Sequence, residues 1–136
     1  MGGFPLVLLH GWPETKRIWW RNVAPLAAAG FEVIVPDLRG FGHSGPTPDG
    51  FYDAAAYARD VRALVSEELG HERCVTCGGD VGGVVALDLA LRFEGFVARQ
   101  LIFNTVLAKI DQPSTGALSK QPDGRDTLRR STNSGL

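Results

Sequence analysis

The chain has 136 residues, with 14 Lys and Arg against 15 Asp and Glu, for a net charge of −1. With 44% hydrophobic residues, it can build one small domain with a core of its own. A charge this near zero argues against nucleic acid or an anionic membrane as partner. No apolar run approaches the ~20 residues of a membrane span. "FPLVLLHGW" is too short for a signal peptide and has no basic segment before it, so a cytoplasmic protein is expected.

Taken in chain order, "FPLVLLH" (4–10) is a continuously apolar strand. A helix over 19–29 follows, stopped by Gly30, and then a second strand, "FEVIVPD" (31–37). Residues 53–69 place Tyr57, Val61, Leu64 and Val65 on one stripe, the pattern of an amphipathic helix lying on a sheet; Gly70 ends it. "ERCVTCG" (72–78) and "RQLIFNT" (99–105) are the third and fourth strands. Between them, 81–93 is apolar nearly all round except at Asp88 and Arg92, which predicts a buried helix. Continuous rather than alternating apolar strands suit a parallel sheet covered on both faces. The fold class is therefore α/β, with right-handed crossovers. From Lys109 onward the sequence is polar and aperiodic, so the organisation expected is a core over 1–108 and a loop or disordered tail over 109–136.

Two patterns are set aside on physical grounds. Cys74 and Cys77 are spaced C-x-x-C, but residues three apart on a strand point to opposite faces, so neither a disulfide nor a shared metal is expected. Gly40, Gly42 and Gly45 fit G-x-G-x-x-G after a strand. A dinucleotide site needs a helix to open at the last glycine, and "PTPDG" follows instead, so this reads as a surface loop.

"GGDVGG" carries more weight. Asp80 stands between strand and helix, with Gly78, Gly79, Gly82 and Gly83 around it. A strand–turn–helix that exposes a nucleophile needs small neighbours at these positions. Aspartate is also a favoured helix N-cap, but an N-cap does not call for glycine on both sides. A second motif, His10-Gly11-Trp12-Pro13, directly follows the first strand.

"LVLLHGWPE", "VIVPDLRGFGHSG" and "GGDVGG", in that order, resemble the α/β-hydrolase fold family. The aspartate with H-G-x-P upstream resembles the epoxide hydrolases and their relatives, the haloalkane dehalogenases. The resemblance implies a partial α/β-hydrolase fold: about four central parallel strands, ordered second-first-third-fourth, with flanking helices. It implies that Asp80 attacks an epoxide carbon to form an alkyl ester, which water then hydrolyses. The backbone N–H groups of Trp12 and Val81 would form the oxyanion hole. His10, Gly11 and Pro13 would shape its loop, and in similar enzymes the peptide bond before that proline is often cis. The substrate implied is a small epoxide or related electrophile, with no cofactor or metal.

Val81 stands where many dehalogenases carry a halide-binding tryptophan, and "HGWPE" is closer to the epoxide-hydrolase form. A dehalogenase-type hydrolase is the alternative within the family. The other alternative is a catalytically inert fragment, or a subunit that pairs through exposed sheet edges. It arises because no residue matches the family's acid, its late histidine or its cap tyrosines. His43 reads as a loop residue and His71 as part of a helix-to-strand connection. Tyr52 and Tyr57 precede Asp80, and Asn104 is not assigned the acid's role. The resemblance further implies that two strands before "LVLLHGW", and a cap, lie outside this sequence.

Overall fold

The computed structural model describes residues 2–105; the expected boundary at 108 and the polar segment beyond it lie outside these residues. Four strands form one parallel sheet: β1 (Phe4–Leu9), β2 (Phe31–Ile34), β3 (Cys74–Gly79) and β4 (Val97–Phe103). Their spatial order is β2-β1-β3-β4, as the resemblance implied. β1 and β3 are central, with Leu8 opposite Cys77 and Leu9 opposite Gly78.

Side-chain alternation along β1 divides the core into two layers. Val7 and Leu9 pack with α2 (Ala54–Ala63) and α3 (Val81–Arg92), against Tyr57, Val61, Val85 and Leu89. Leu6 and Leu8 point the other way, to Trp19 and Leu26, the latter from α1 (Trp20–Ala28). Val7, Leu8 and Leu9 are essentially inaccessible to solvent, and burial of each contributes about 1.5–3 kcal/mol. Cys74 lies in the first layer and Cys77 in the second, both as free thiols. Burial pushes the Cys74 thiol up to about 11.

The helix ends follow the sequence. Asp53 caps α2, its carboxylate accepting from the Ala56 N–H at 2.7 Å. Gly30 and Gly70 stand at positive φ beyond the preceding helical segments.

Several expectations needed correction. The first helix begins as a 3₁₀ turn over Lys16–Trp19 before becoming α-helical. The amphipathic helix widens into a π-type turn over Leu64–Glu68. β2 stops at Ile34, because the chain then bends to bring Asp37 under the following loop. The strand over 99–105 starts two residues earlier and ends at Phe103; Asn104 turns to φ 46°. α3 buries one face only. Val85, Ala86 and Leu89 pack inward while Leu91 is 72% exposed, since the sheet covers a single side of it. The glycine loop after β2 opens no helix at Gly45. Among the described residues, no helix is long and apolar enough to cross a membrane.

Candidate active site

In a parallel sheet, sites form beyond the carboxyl ends of the strands. Here β1 and β3, neighbours in the sheet, end side by side. β1 runs into His10-Gly11-Trp12-Pro13 and β3 into Asp80.

Asp80 adopts φ 51° and ψ −123°. A non-glycine residue with positive φ is uncommon and costs of order 1–3 kcal/mol, which its surroundings must offset. Close packing enforces it. A methyl group on Gly78 would lie 2.5 Å from the Gly82 backbone. One on Gly82 would run into the Leu9 carbonyl, and one on Gly79 would lie 2.6 Å from the Phe103 ring. Gly83 has no room either, because Thr105 Oγ1 occupies the place of its side chain. The glycines singled out in the sequence therefore let α3 start directly against the ends of β1 and β4. The Asp80 carbonyl accepts from the Gly83 and Val84 N–H groups and opens α3, while its own N–H donates to the Asn104 carbonyl at 3.2 Å.

The Asp80 side chain makes no N-cap hydrogen bond. Its Oδ2 instead accepts from the Trp12 N–H at 2.8 Å, across 68 positions of sequence. The Trp12 amide, and after it the Val81 amide, hold the Asp80 carboxyl below the usual carboxylate range, against a smaller upward push from burial. Only the Trp12 bond meets hydrogen-bond geometry; the Val81 N–H contributes by proximity. Asp80 is thus held ionised, one oxygen engaged by an amide.

The Trp12–Pro13 peptide bond is cis. His10 is fully buried, with both ring nitrogens occupied. Nε2 accepts from the Leu38 N–H at 3.0 Å, and Nδ1 lies 2.9 Å from the Gly11 carbonyl, which fixes the tautomer protonated on Nδ1. His10 therefore ties the turn after β1 to the segment after β2, as a brace. His43 is exposed beside Asp37, and His71 pairs with Glu32 near the start of β2, the opposite end of the sheet. None of the three histidines hydrogen-bonds Asp80. Tyr57 is a buried residue of α2, and the Tyr52 hydroxyl accepts from the Thr47 N–H.

A pocket of about 200 Å³ opens at Asp80, lined by Trp12, Glu14, Ile18, Phe103 and Asn104 among others. Trp12 is 68% exposed and walls its rim. A larger pocket, about 510 Å³, lies beside β2 and α2. Its charged residues are already paired, Lys16 with Asp37 and Arg39 with Asp60, so it offers no free reactive group. Sequence reasoning missed two acids. Asp37, nearly inaccessible, accepts from the Lys16 and His43 N–H groups and organises the glycine loop. Burial pushes its carboxyl up, but those two amides and the Lys16 ammonium outweigh that and lower it to about 2. Glu14 accepts from the Gly11 N–H at 2.9 Å; its position three residues after that N–H, the capping-box spacing, is the signal that could have found it.

With this geometry in place, comparison with known proteins decides the family. The alpha/beta hydrolase fold family model matches residues 5–133. The chain belongs to the α/β hydrolase fold family. Among curated proteins, this α/β hydrolase is 46% identical over 106 residues to a soluble epoxide hydrolase of Corynebacterium sp. (strain C12), covering 76% of the chain and 35% of that protein. It is 36% identical to a pimeloyl-[acyl-carrier protein] methyl ester esterase of Aromatoleum aromaticum, over 82% of the chain and 41% of the esterase. Among solved structures, the ligand-free epoxide hydrolase CorEH superposes with a TM-score of 0.70 at 41% identity, over 84% of this chain and 39% of that one. The chain therefore spans well under half the length of these relatives.

Proposed function

We propose that this chain carries the nucleophilic half of an epoxide hydrolase, with Asp80 as the nucleophile. The supporting observation is the single bond from the Trp12 N–H to Asp80 Oδ2. With one oxygen held, the carboxylate presents the other to the pocket. That oxygen, Oδ1, attacks an epoxide carbon; the C–O bond of the ring breaks, and the ring oxygen leaves as an alkoxide that takes a proton from water. Oδ2 becomes the carbonyl oxygen of the new ester, already against its donor. When water later adds to Cγ, negative charge develops on Oδ2, where the Trp12 and Val81 amides stabilise it; one such donor is worth about 10²–10³ in rate.

Two features support an epoxide over an ester substrate. The turn carries a carboxylate, whose nucleophilicity suits a strained sp³ carbon. The curated relative matched at 46% identity is named as a soluble epoxide hydrolase. Since no histidine of the sequence bonds Asp80, the reading assigns to this chain formation of the ester, not its rapid breakdown.

The test is direct. Incubation with styrene oxide should add the mass of one epoxide to the peptide containing Asp80, and Asp80→Asn should abolish the adduct. Adducts scattered over other carboxylates, unchanged by Asp80→Asn, would sink the proposal. Chloride release from 1-chlorobutane, with an adduct on Asp80, would instead support the dehalogenase alternative.

A further inference from the structure

One side chain in the pocket has no part in the chemistry just described. Glu14 is exposed, yet its Oε2 accepts from the Gly11 N–H at 2.9 Å. The same two residues are joined in the opposite sense: the Glu14 N–H donates to the Gly11 carbonyl at 3.1 Å. That carbonyl also receives the His10 Nδ1–H at 2.9 Å. Both polar groups of Gly11 are therefore committed.

The consequence follows from peptide planarity. The Gly11 carbonyl and the Trp12 N–H belong to one rigid plane and point in opposite directions. Holding the carbonyl towards His10 and the Glu14 amide aims the Trp12 N–H the other way, at Asp80. Glycine rotates more easily than any other residue, so this plane would be the easiest in the turn to flip. The Glu14 carboxylate, on the Gly11 N–H, holds the adjoining His10–Gly11 plane, so both planes that meet at the Gly11 Cα are fixed. A bulkier residue could not supply the stiffness itself. A methyl group on Gly11 would lie 2.8 Å from Asp80 Oδ2 and 3.1 Å from Glu14 Oε2.

We propose that Glu14 is a positioning residue: its carboxylate holds the His10–Gly11 peptide plane while its own N–H holds the Gly11 carbonyl, so that both planes meeting at Gly11 are fixed and the Trp12 N–H stays on the Asp80 carboxylate. The inference rests on reading Asp80 as the reacting group, but it concerns an amide and a titration that can be followed without any reaction.

The test compares wild type, Glu14→Ala and Glu14→Gln by NMR. The glutamine keeps an oxygen acceptor for the Gly11 N–H and removes the charge; the alanine removes both. Glu14→Ala should speed hydrogen exchange of the Trp12 amide by about tenfold, the scale of one lost hydrogen bond. It should also raise the Asp80 titration towards the ordinary carboxylate range. Glu14→Gln should restore both. A purely electrostatic neighbour would act with the opposite sign, since loss of a nearby negative charge lowers the Asp80 titration in both variants. That result overturns the proposal, as does a Trp12 amide unchanged in Glu14→Ala. The amides of Val7 and Leu9, deep in β1, report whether each variant stays folded. Failure of wild type to form the epoxide adduct would defeat the proposed function and leave this test standing.

Discussion

Substituting Gly82 by alanine isolates the close approach on which the site depends. Gly82 lies in the first turn of α3, fully buried, and its hydrogen faces the backbone at the end of β1. The added methyl would overlap the Leu9 carbonyl oxygen and lie 2.7 Å from both the Leu9 carbonyl carbon and the His10 carbonyl oxygen. All three are backbone atoms at the end of β1 or of the residue just after it, and cannot rotate away. Two terms of opposite sign decide the outcome. Alanine is the better helix former by about 1 kcal/mol. Overpacking typically costs about 1–3 kcal/mol, and a clash with fixed backbone belongs at the upper end. The net is about 2 kcal/mol of destabilisation. With a urea slope of about 1–3 kcal/mol per molar, the midpoint falls by about 1 M. The assay is equilibrium urea unfolding, with Gly45→Ala as control, since a methyl there meets nothing within 4 Å. The displaced atoms lead directly into Gly11 and Trp12, so the Trp12–Asp80 bond should weaken with the fold. A Gly82→Ala midpoint equal to that of wild type would refute the packing argument.

Three further outcomes are expected. Asp37 has its carboxyl lowered to about 2 in the folded chain against an unfolded value of 3.8, so the stability it contributes is full above pH 4 and is lost as pH falls from there through about 2. Asp37→Asn should therefore flatten the acid limb of a urea-midpoint-versus-pH series and lower stability at neutral pH by about 2 kcal/mol; an unchanged limb would contradict the assignment. Because Asp80 is likewise lowered, the rate of its modification by an epoxide should hold steady as pH drops through the ordinary carboxylate range and decline only below it, read by intact mass. Cys74 and Cys77, buried with raised thiols, should react with Ellman's reagent only in denaturant; rapid native labelling would show that the sheet opens.

The sheet was legible chiefly from β1, apolar and buried on both sides; β4 departs from the expected cover on both faces, with Leu101 61% and Phe103 46% exposed. Opposite faces for Cys74 and Cys77 followed from strand geometry alone. The glycines around Asp80 were legible as a demand for space, although what fills that space is the Leu9 carbonyl, the Phe103 ring and Thr105. Boundaries were less legible. Nothing local in "FEVIVPD" reveals that Asp37 will leave the strand to collect the amides of Lys16 and His43, since one donor is 21 residues earlier. The direction of the Asp80 side chain was likewise invisible to local rules, which favour an N-cap; its true partner comes from another strand. Glu14 entered only as the last letter of "HGWPE", with no role read for its side chain, because an exposed acid after a proline looks like ordinary surface.

The Trp12–Asp80 bond closes a loop of 68 residues. The entropy of closing so long a loop must be met by the whole sheet, because the chain between the two residues supplies β2 and α2 as well as the approach to β3. No sub-fragment that starts after Trp12 or stops before Asp80 contains both donor and acceptor. During synthesis the Trp12–Asp80 contact therefore cannot form until Asp80 has left the ribosome, long after the Trp12 amide. Cleaving the chain in the exposed loop between β2 and α2 would make this timing visible. The two pieces, separately without a site, should regain the Trp12–Asp80 contact only on mixing, at a rate that depends on concentration.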